Sequence, residues 1–381
     1  MAEKNIFFSV GDDSGDLHAS YLMREVRRLE PEASFVGFGM GRMREAGLHE
    51  LEKEDARGSA MWLHSVLRLG KFRRLLDTCR EYFERTPPEV VVLVDYGGFN
   101  LYVARAATRR DIPVVYYILP QVWAHGRYRL KKIRKWVSRP LVIYPFEPSL
   151  YRSYGVEARY VGHPLFDHLE RNGPGESEVA RLREGLGGRP VAFFPGSRRQ
   201  EVRANLPIML EAAQRLTGKF PELRFALVSP PKARPVAEEI LGKAEMDVAL
   251  PDTDAATLAA AADLCITKSG TITLEIAAQG TPMVVFYRVN PLFYFLGAGV
   301  METPYIELVN NLAGRMVVPE KVMRSPDPDW VVEQAGRLLG DPEEYRRCRR
   351  EIDRTLEGFA EPGASERAAR EVVEVMNQNE E

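Results

Sequence analysis

Three carboxylates crowd the first turn of the chain. In SVGDDSGDLHAS, residues 9–20, Asp12, Asp13 and Asp16 follow an apolar run containing Ile6, Phe7, Phe8 and Val10. A strand, a glycine-containing turn and a helix in that order open a Rossmann-like nucleotide site, where backbone N–H groups cradle phosphate. Carboxylates at that place repel a phosphate, so the turn calls for another guest. A further acid, Asp95, ends the apolar run VVLVD and precedes Tyr96-Gly97-Gly98. A carboxylate there suits a general base that takes a proton from an attacking hydroxyl. It equally suits the cap of a helix begun at Gly98. Asp12 is the rival base or an orienting group.

Two later loops are friendlier to phosphate. FFPGSRRQEVRANLP, residues 193–207, leaves an apolar run through Pro195-Gly196-Ser197 and enters a helical pattern with Arg198 and Arg199 at its start. Backbone N–H groups, the helix dipole and a guanidinium then point at one place. In TKSGTITLEIAAQGTP, residues 267–282, Ser269, Gly270 and Thr271 would cap the next helix and offer N–H groups to a diphosphate. Glu275, four residues beyond Thr271 on the same helix face, suits ribose hydroxyls. Solvated arginines and an ordinary capping carboxylate are the plainer readings of these loops. Together they put a nucleotide diphosphate in the second half of the chain.

The elements that must position these residues follow from the pattern. Strands are expected at 4–10, 34–38, 89–94, 113–118, 140–143 and 158–161, with helices such as 15–30, 63–85 and 98–110 between them. After the polar, glycine- and proline-containing stretch RNGPGESE, residues 171–178, a second alternation begins with VAFFP, FALVS, DVAL, DLCIT and MVVFY. The expected fold class is α/β, with two Rossmann-like domains facing across a cleft: 1–168, and 169–344. A C-terminal helix at 345–381 is expected to pack back on the first domain. In such sheets the loops at the carboxyl ends of the strands carry the chemistry.

At 381 residues, 45% hydrophobic, 28% charged and with a net charge of -2, the chain reads as a soluble globular protein with no bulk affinity for nucleic acid. Cys79, Cys265 and Cys348 are far apart, which suits a reducing compartment and neither a disulfide framework nor a zinc site. No convincing metal-binding constellation appears, and no cofactor is expected. The N-terminal apolar stretch is too short for a signal peptide, and no run approaches the ~18–20 apolar residues of a spanning helix. A cytoplasmic protein that touches a membrane is therefore expected.

The chain resembles the lipid-A-disaccharide synthase family, inverting glycosyltransferases of the GT-B type. The resemblance runs through VGDDSGDLHAS, VGFGMGRMREAGL, VDYGGFNL, PQVWAHGRYRLKKI, YPFEPSLY, YVGHPLFD, PGSRRQEV, SGTITLEIAAQGTPMVVFYRVNPLFY and NNLAGRMVVPE, in order and at compatible spacing. It implies transfer of 2,3-diacylglucosamine from its UDP donor to 2,3-diacylglucosamine 1-phosphate through a β-1,6 bond, releasing UDP without a catalytic metal. By position it assigns Arg198, Ser269, Thr271, Glu275 and Asn310 to the donor; Ser197, Glu201 and Gly270, in the same loops, are donor-side candidates with them. It puts Asp12, Ser14, Asp16, Asp95 and Asn100 at the acceptor and reaction centre. His18, one turn past the acidic loop, could bond an acceptor phosphate or simply pack; His163 could meet the nucleotide or hold the hinge, the structural role being the preferred reading.

Relatives usually carry Glu where Asp12 stands, Trp at His125, Asp near Gly98, Glu near Ser65 and Pro at Val309. Most of these departures fall on the acceptor side. Related UDP-sugar enzymes with another lipid acceptor, and a degenerate membrane-bound scaffold, are the alternatives. Two stretches suit an anionic inner-membrane surface. In SAMWLHSVLRLGKFRRLL, residues 59–76, Met61, Trp62, Leu63, Val66 and Leu67 precede Arg68, Lys71, Arg73 and Arg74. VWAHGRYRLKKIRKW, residues 122–136, places six Lys or Arg between Trp123 and Trp136. Monomer and homodimer remain open.

Overall fold

The computed structural model describes residues 4–51, 65–122, 126–289 and 304–378, with the side chains of 65–69 and 71 excepted. The chain divides into two compact units, one formed by Met1–His168 with Glu361–Glu381, the other by Leu169–Ala360. Both are built on parallel sheets, which need apolar residues on both faces because helices cover them.

The first unit's sheet holds β1 (Lys4–Ser9), β2 (Ala33–Phe38), β3 (Leu48–Glu50), β4 (Val90–Val94), β5 (Val114–Tyr117), β6 (Arg139–Val142) and β7 (Arg159–Tyr160), in the order β3-β2-β1-β4-β5-β6-β7. β1 pairs in parallel with both β2 and β4. Central β4 is an unbroken run of valine and leucine, wholly buried, as a strand covered on both faces must be. The edge strand β3, only three residues with an exposed His49, carries no such run and was not legible in the sequence.

The second unit's sheet holds β8 (Arg189–Phe194), β9 (Leu223–Leu227), β10 (Val248–Ala249), β11 (Leu264–Lys268), β12 (Met283–Arg288) and β13 (Glu320–Met323), in the order β10-β9-β8-β11-β12-β13. Here β8 pairs in parallel with both β9 and β11. In each unit the strand order reverses beside the first strand, at the β1–β4 and β8–β11 pairs. These are the switch points at which loops diverge and leave a crevice.

The expected tail needs correction. It is two helices, not one, parted by Gly358 at φ 72 and by Pro362. Helix Pro342–Leu356 belongs to the second unit, where Cys348, Ile352 and Leu356 are buried. Only Ala364–Gln378 returns to the first unit, packing along helix Asp13–Leu29 through buried Ala368, Ala369 and Val372. Buried Asp167 caps that helix, accepting from the amides of Gly363, Ala364 and Ser365 at 2.6, 3.0 and 2.7 Å. Glu371 on the same helix pairs with Arg139 and Arg159.

Candidate active site

Both switch points carry the residues singled out by their chemistry. In the first unit the acidic turn follows β1 and Asp95 follows β4, so neighbouring strands present them at the same sheet edge. Asp12 is the N-cap of helix Asp13–Leu29, and its Oδ1 accepts from the Gly15 amide at 2.7 Å. Gly11 is required beside it: a Cβ there would lie 2.3 Å from the Tyr96 ring, which packs over the glycine.

Asp95 and Tyr96 both adopt left-handed backbone, with φ 47 and 52. Such a conformation costs about 1–3 kcal/mol per non-glycine residue and persists where the surroundings hold it. Here the Asp95 carbonyl accepts from Tyr116 Oη at 2.7 Å and from Asn100 Nδ2 at 2.8 Å. Asn100 is wholly buried; its Nδ2 also reaches the carbonyls of Ser9 and Val94, and its Oδ1 accepts from Ser9 Oγ at 2.7 Å. It ties the ends of β1 and β4 together and fixes the turn that carries Asp95. Burial pushes the Asp95 carboxyl up to about 6, with a further push from the Asp12 charge, against the Tyr96 amide and the Arg129 guanidinium. The helix expected from Gly98 begins instead at Asn100, so Asp95 is not its cap.

The other acceptor-side residues divide. Ser14 is exposed and lies 3.3 Å from His18 Nε2. Asp16 is buried and committed to the fold: its carboxylate accepts from the amides of Met40, Arg42 and Met43 at 2.7, 3.0 and 3.4 Å. His18 and His163 are buried neighbours with ring centroids 6.5 Å apart. Burial lowers His18 to about 4, helped by His168, and lowers His163 to about 3, helped by His18. Both are neutral at pH 7. Met61, Trp62, Leu63, Trp123 and His125 lie outside the described residues, as do the side chains of Val66, Leu67, Arg68 and Lys71.

In the second unit the turn after β8 and the turn after β11 meet through one carboxylate. Glu201 Oε2 accepts from the amides of Ser197 and Arg198 at 3.0 and 3.3 Å, while Oε1 lies 3.3 Å from Lys268 Nζ and 3.8 Å from Arg198 Nη1. Gly196 sits at φ 125, and a Cβ on it would come within 2.5 Å of Glu201 Oε2. Ser197 and Arg198 are exposed, as are Gly270 and Thr271, with Ser269 half-buried. Lys268, which sequence reasoning missed, lies with its Nζ 3.6 Å from where a Gly270 Cβ would stand. Its place at the end of β11 was the available signal.

Glu275 is half-buried and makes no hydrogen bond or ion pair among the described residues. Burial, then the Asp254 charge, raises it to about 7. Asn310 is buried and spends its amide on the fold, donating to Val318 O and Glu320 Oε2 and accepting from the amides of Val317 and Val318. Among the described residues no group of three or more His, Cys, Asp or Glu is gathered as a metal site.

The two Rossmann-like units are those of a GT-B fold. The fold is shared with a putative UDP-N-acetylglucosamine 2-epimerase from Listeria monocytogenes (14% identity, TM-score 0.66, covering 100% of this chain and 97% of that one). It is shared too with the glycotransferase of kitacinnamycin (16% identity, TM-score 0.63, 99% and 100%). Family resemblance is narrower. The model of the lipid-A-disaccharide synthetase family matches residues 6–372. The lipid-A-disaccharide synthase of Geobacter sulfurreducens is 36% identical over 375 residues, 97% of each chain. That of Anaeromyxobacter dehalogenans is 38% identical over 380 residues, again 97% of each. The chain belongs to the lipid-A-disaccharide synthase family.

Proposed function

We propose that this chain transfers 2,3-diacylglucosamine from UDP to 2,3-diacylglucosamine 1-phosphate, forming a β-1,6-linked disaccharide 1-phosphate and UDP. The observation that carries the reading is the family match from residue 6 to residue 372, which takes in both units. The first unit receives the acceptor and the second the nucleotide. Asp95 takes the proton from the attacking hydroxyl: it is half-buried, held in a strained turn, and burial raises its carboxyl to about 6. Asp12 orients the acceptor beside it. As the sugar–phosphate bond breaks, charge builds on the leaving diphosphate. The Ser197-Arg198 turn, Lys268 and the N–H groups around Gly270 supply positive potential for it. Glu275, with no partner among the described residues, is placed to accept from ribose hydroxyls. Asp16, Asn100 and Asn310 serve by holding these loops in place.

A peripheral site on the anionic inner membrane is the second part of the reading. No described helix is long and apolar enough to cross a membrane. Tyr102 and Tyr128 are 50% and 66% exposed, with Lys132 Nζ 5.6 and 5.9 Å from their ring centroids, and Lys131, Arg134 and Lys135 are exposed beside them. Exposed aromatics ringed by cations suit a headgroup layer. The test is to incubate the purified protein with both acylated sugars and assay disaccharide phosphate together with UDP. Equimolar appearance of the two is expected; absence of product with every diacylglucosamine pair would remove the reading.

A further inference from the structure

Arg129 differs from the cations around it. It follows Gly126 in the short 3-10 turn Arg127–Arg129 and is half-buried, where Lys131, Arg134 and Lys135 are exposed. Two glycines flank its guanidinium. A Cβ on Gly126 would lie 3.1 Å from Nη1, and one on Gly97 would lie 4.0 Å from Cζ. Gly97 also abuts Pro120, whose Cγ a Cβ would meet at 2.8 Å, so both glycines let the backbone pass close to the guanidinium. Among the described residues no carboxylate lies within ion-pairing distance of Arg129; its ring contact is with Tyr128, at 5.4 Å. Its field nevertheless reaches Asp95, Tyr116 and Tyr151, three groups at the end of β4, on β5 and on helix Glu147–Arg152. A partly desolvated guanidinium with no carboxylate at ion-pairing distance among the described residues gains from an anion that arrives, and its planar fork matches phosphate in particular.

The acidic turn makes that cation necessary. Asp12 and Asp95 place two carboxyl groups at the sheet edge where a phosphorylated acceptor has to dock, and Arg129 is the cation that acts on Asp95 there. We propose that Arg129, beside Gly97 and Gly126, binds the phosphate monoester of the acceptor and so selects a phosphorylated sugar for the hydroxyl that Asp95 deprotonates. This deepens the function proposed above and rests on it for the identity of the acceptor. It makes Arg129 a substrate-binding, specificity-determining residue and not a partner of the base.

The experiment compares 2,3-diacylglucosamine 1-phosphate with the same acceptor lacking its phosphate, in the full-length enzyme and in Arg129→Gln and Arg129→Lys. The wild type should prefer the phosphorylated acceptor by roughly 10- to 100-fold in kcat/KM. Arg129→Gln should lose that preference through acceptor KM, with donor KM unchanged and the pH profile moved to higher pH as Asp95 loses a neighbouring cation, and Arg129→Lys should keep part of it. Equal loss with both acceptors, or a shifted pH profile with the preference intact, would mean that Arg129 acts through Asp95 and would overturn the proposal. Should Arg129→Gln fail to fold, Arg129→Lys decides alone, an undiminished preference counting against the proposal. If the wild type transfers nothing, calorimetry with glucosamine 1-phosphate and glucosamine still reads the subsite. Preferential binding of the phosphate, weakened in the variants, supports it; no preference in the wild type overturns it.

Discussion

The proposed base, Asp95, has an environment that can be measured. Its carboxyl is moved from an ordinary 3.8 to about 6, chiefly by burial and then by Asp12. As a base it must be ionised, so kcat/KM should rise with pH through about 6 and level off above it. The same shift bears on stability with a definite sign. A carboxyl whose pKa is higher folded than unfolded contributes stability below about pH 4 and loses it as pH rises through 6. Asp95→Asn removes the buried charge, so its gain in unfolding free energy should be larger at pH 8 than at pH 4, by up to about 3 kcal/mol. Urea melts at the two pH values check this; an equal gain at both would mean that the carboxyl is not displaced. Asp95 was visible in the sequence because it ends an apolar run before two glycines. Its left-handed backbone and the two hydrogen bonds on its carbonyl were not, since Tyr116 and Asn100 reach it only through the fold.

Elements, more than single residues, make the proposed diphosphate site of the second unit. Glu201, at the start of helix Arg199–Thr217, gathers the Ser197 and Arg198 amides and meets Lys268 from the end of β11. Gly196→Ala should break this arrangement twice over, by its φ of 125 and by a contact of 2.5 Å with Glu201 Oε2. We expect UDP affinity to fall at least tenfold, with a stability loss of about 1–3 kcal/mol. Calorimetric titration with UDP and thermal melts read both, and unchanged affinity would place the diphosphate elsewhere. The motif PGSRRQE announced this loop because glycine, arginine and a helix start stood together in sequence. What it concealed was the role of Glu201, which braces the loop from inside and pairs with Lys268. Asn310 and Asp16 were concealed in the same way: a buried amide or carboxylate spent on backbone groups looks, in sequence, like a polar residue awaiting a ligand.

At the scale of the whole molecule the two units repeat one plan, a parallel sheet whose order reverses beside its first strand, and they differ in what the switch point presents. One presents carboxylates with Arg129 beside them; the other presents Arg198 and Lys268 gathered around Glu201. Alternating apolar runs made both sheets legible, because parallel strands are buried on both faces. The runs failed at β3 and β13, edge strands too short or too polar to announce themselves, and at the tail, where Gly358 and Pro362 divide two helices that charge and periodicity alone read as one. The division of labour is also the most direct test of the account. Transfer and UDP binding should be measured side by side in the wild type and in Asp95→Asn. The account predicts that the variant loses disaccharide formation by at least a hundredfold while UDP affinity stays within twofold. A variant that still makes disaccharide at the wild-type rate would contradict the assignment of the base. A variant that no longer binds UDP would contradict the separation of acceptor and donor between the two units.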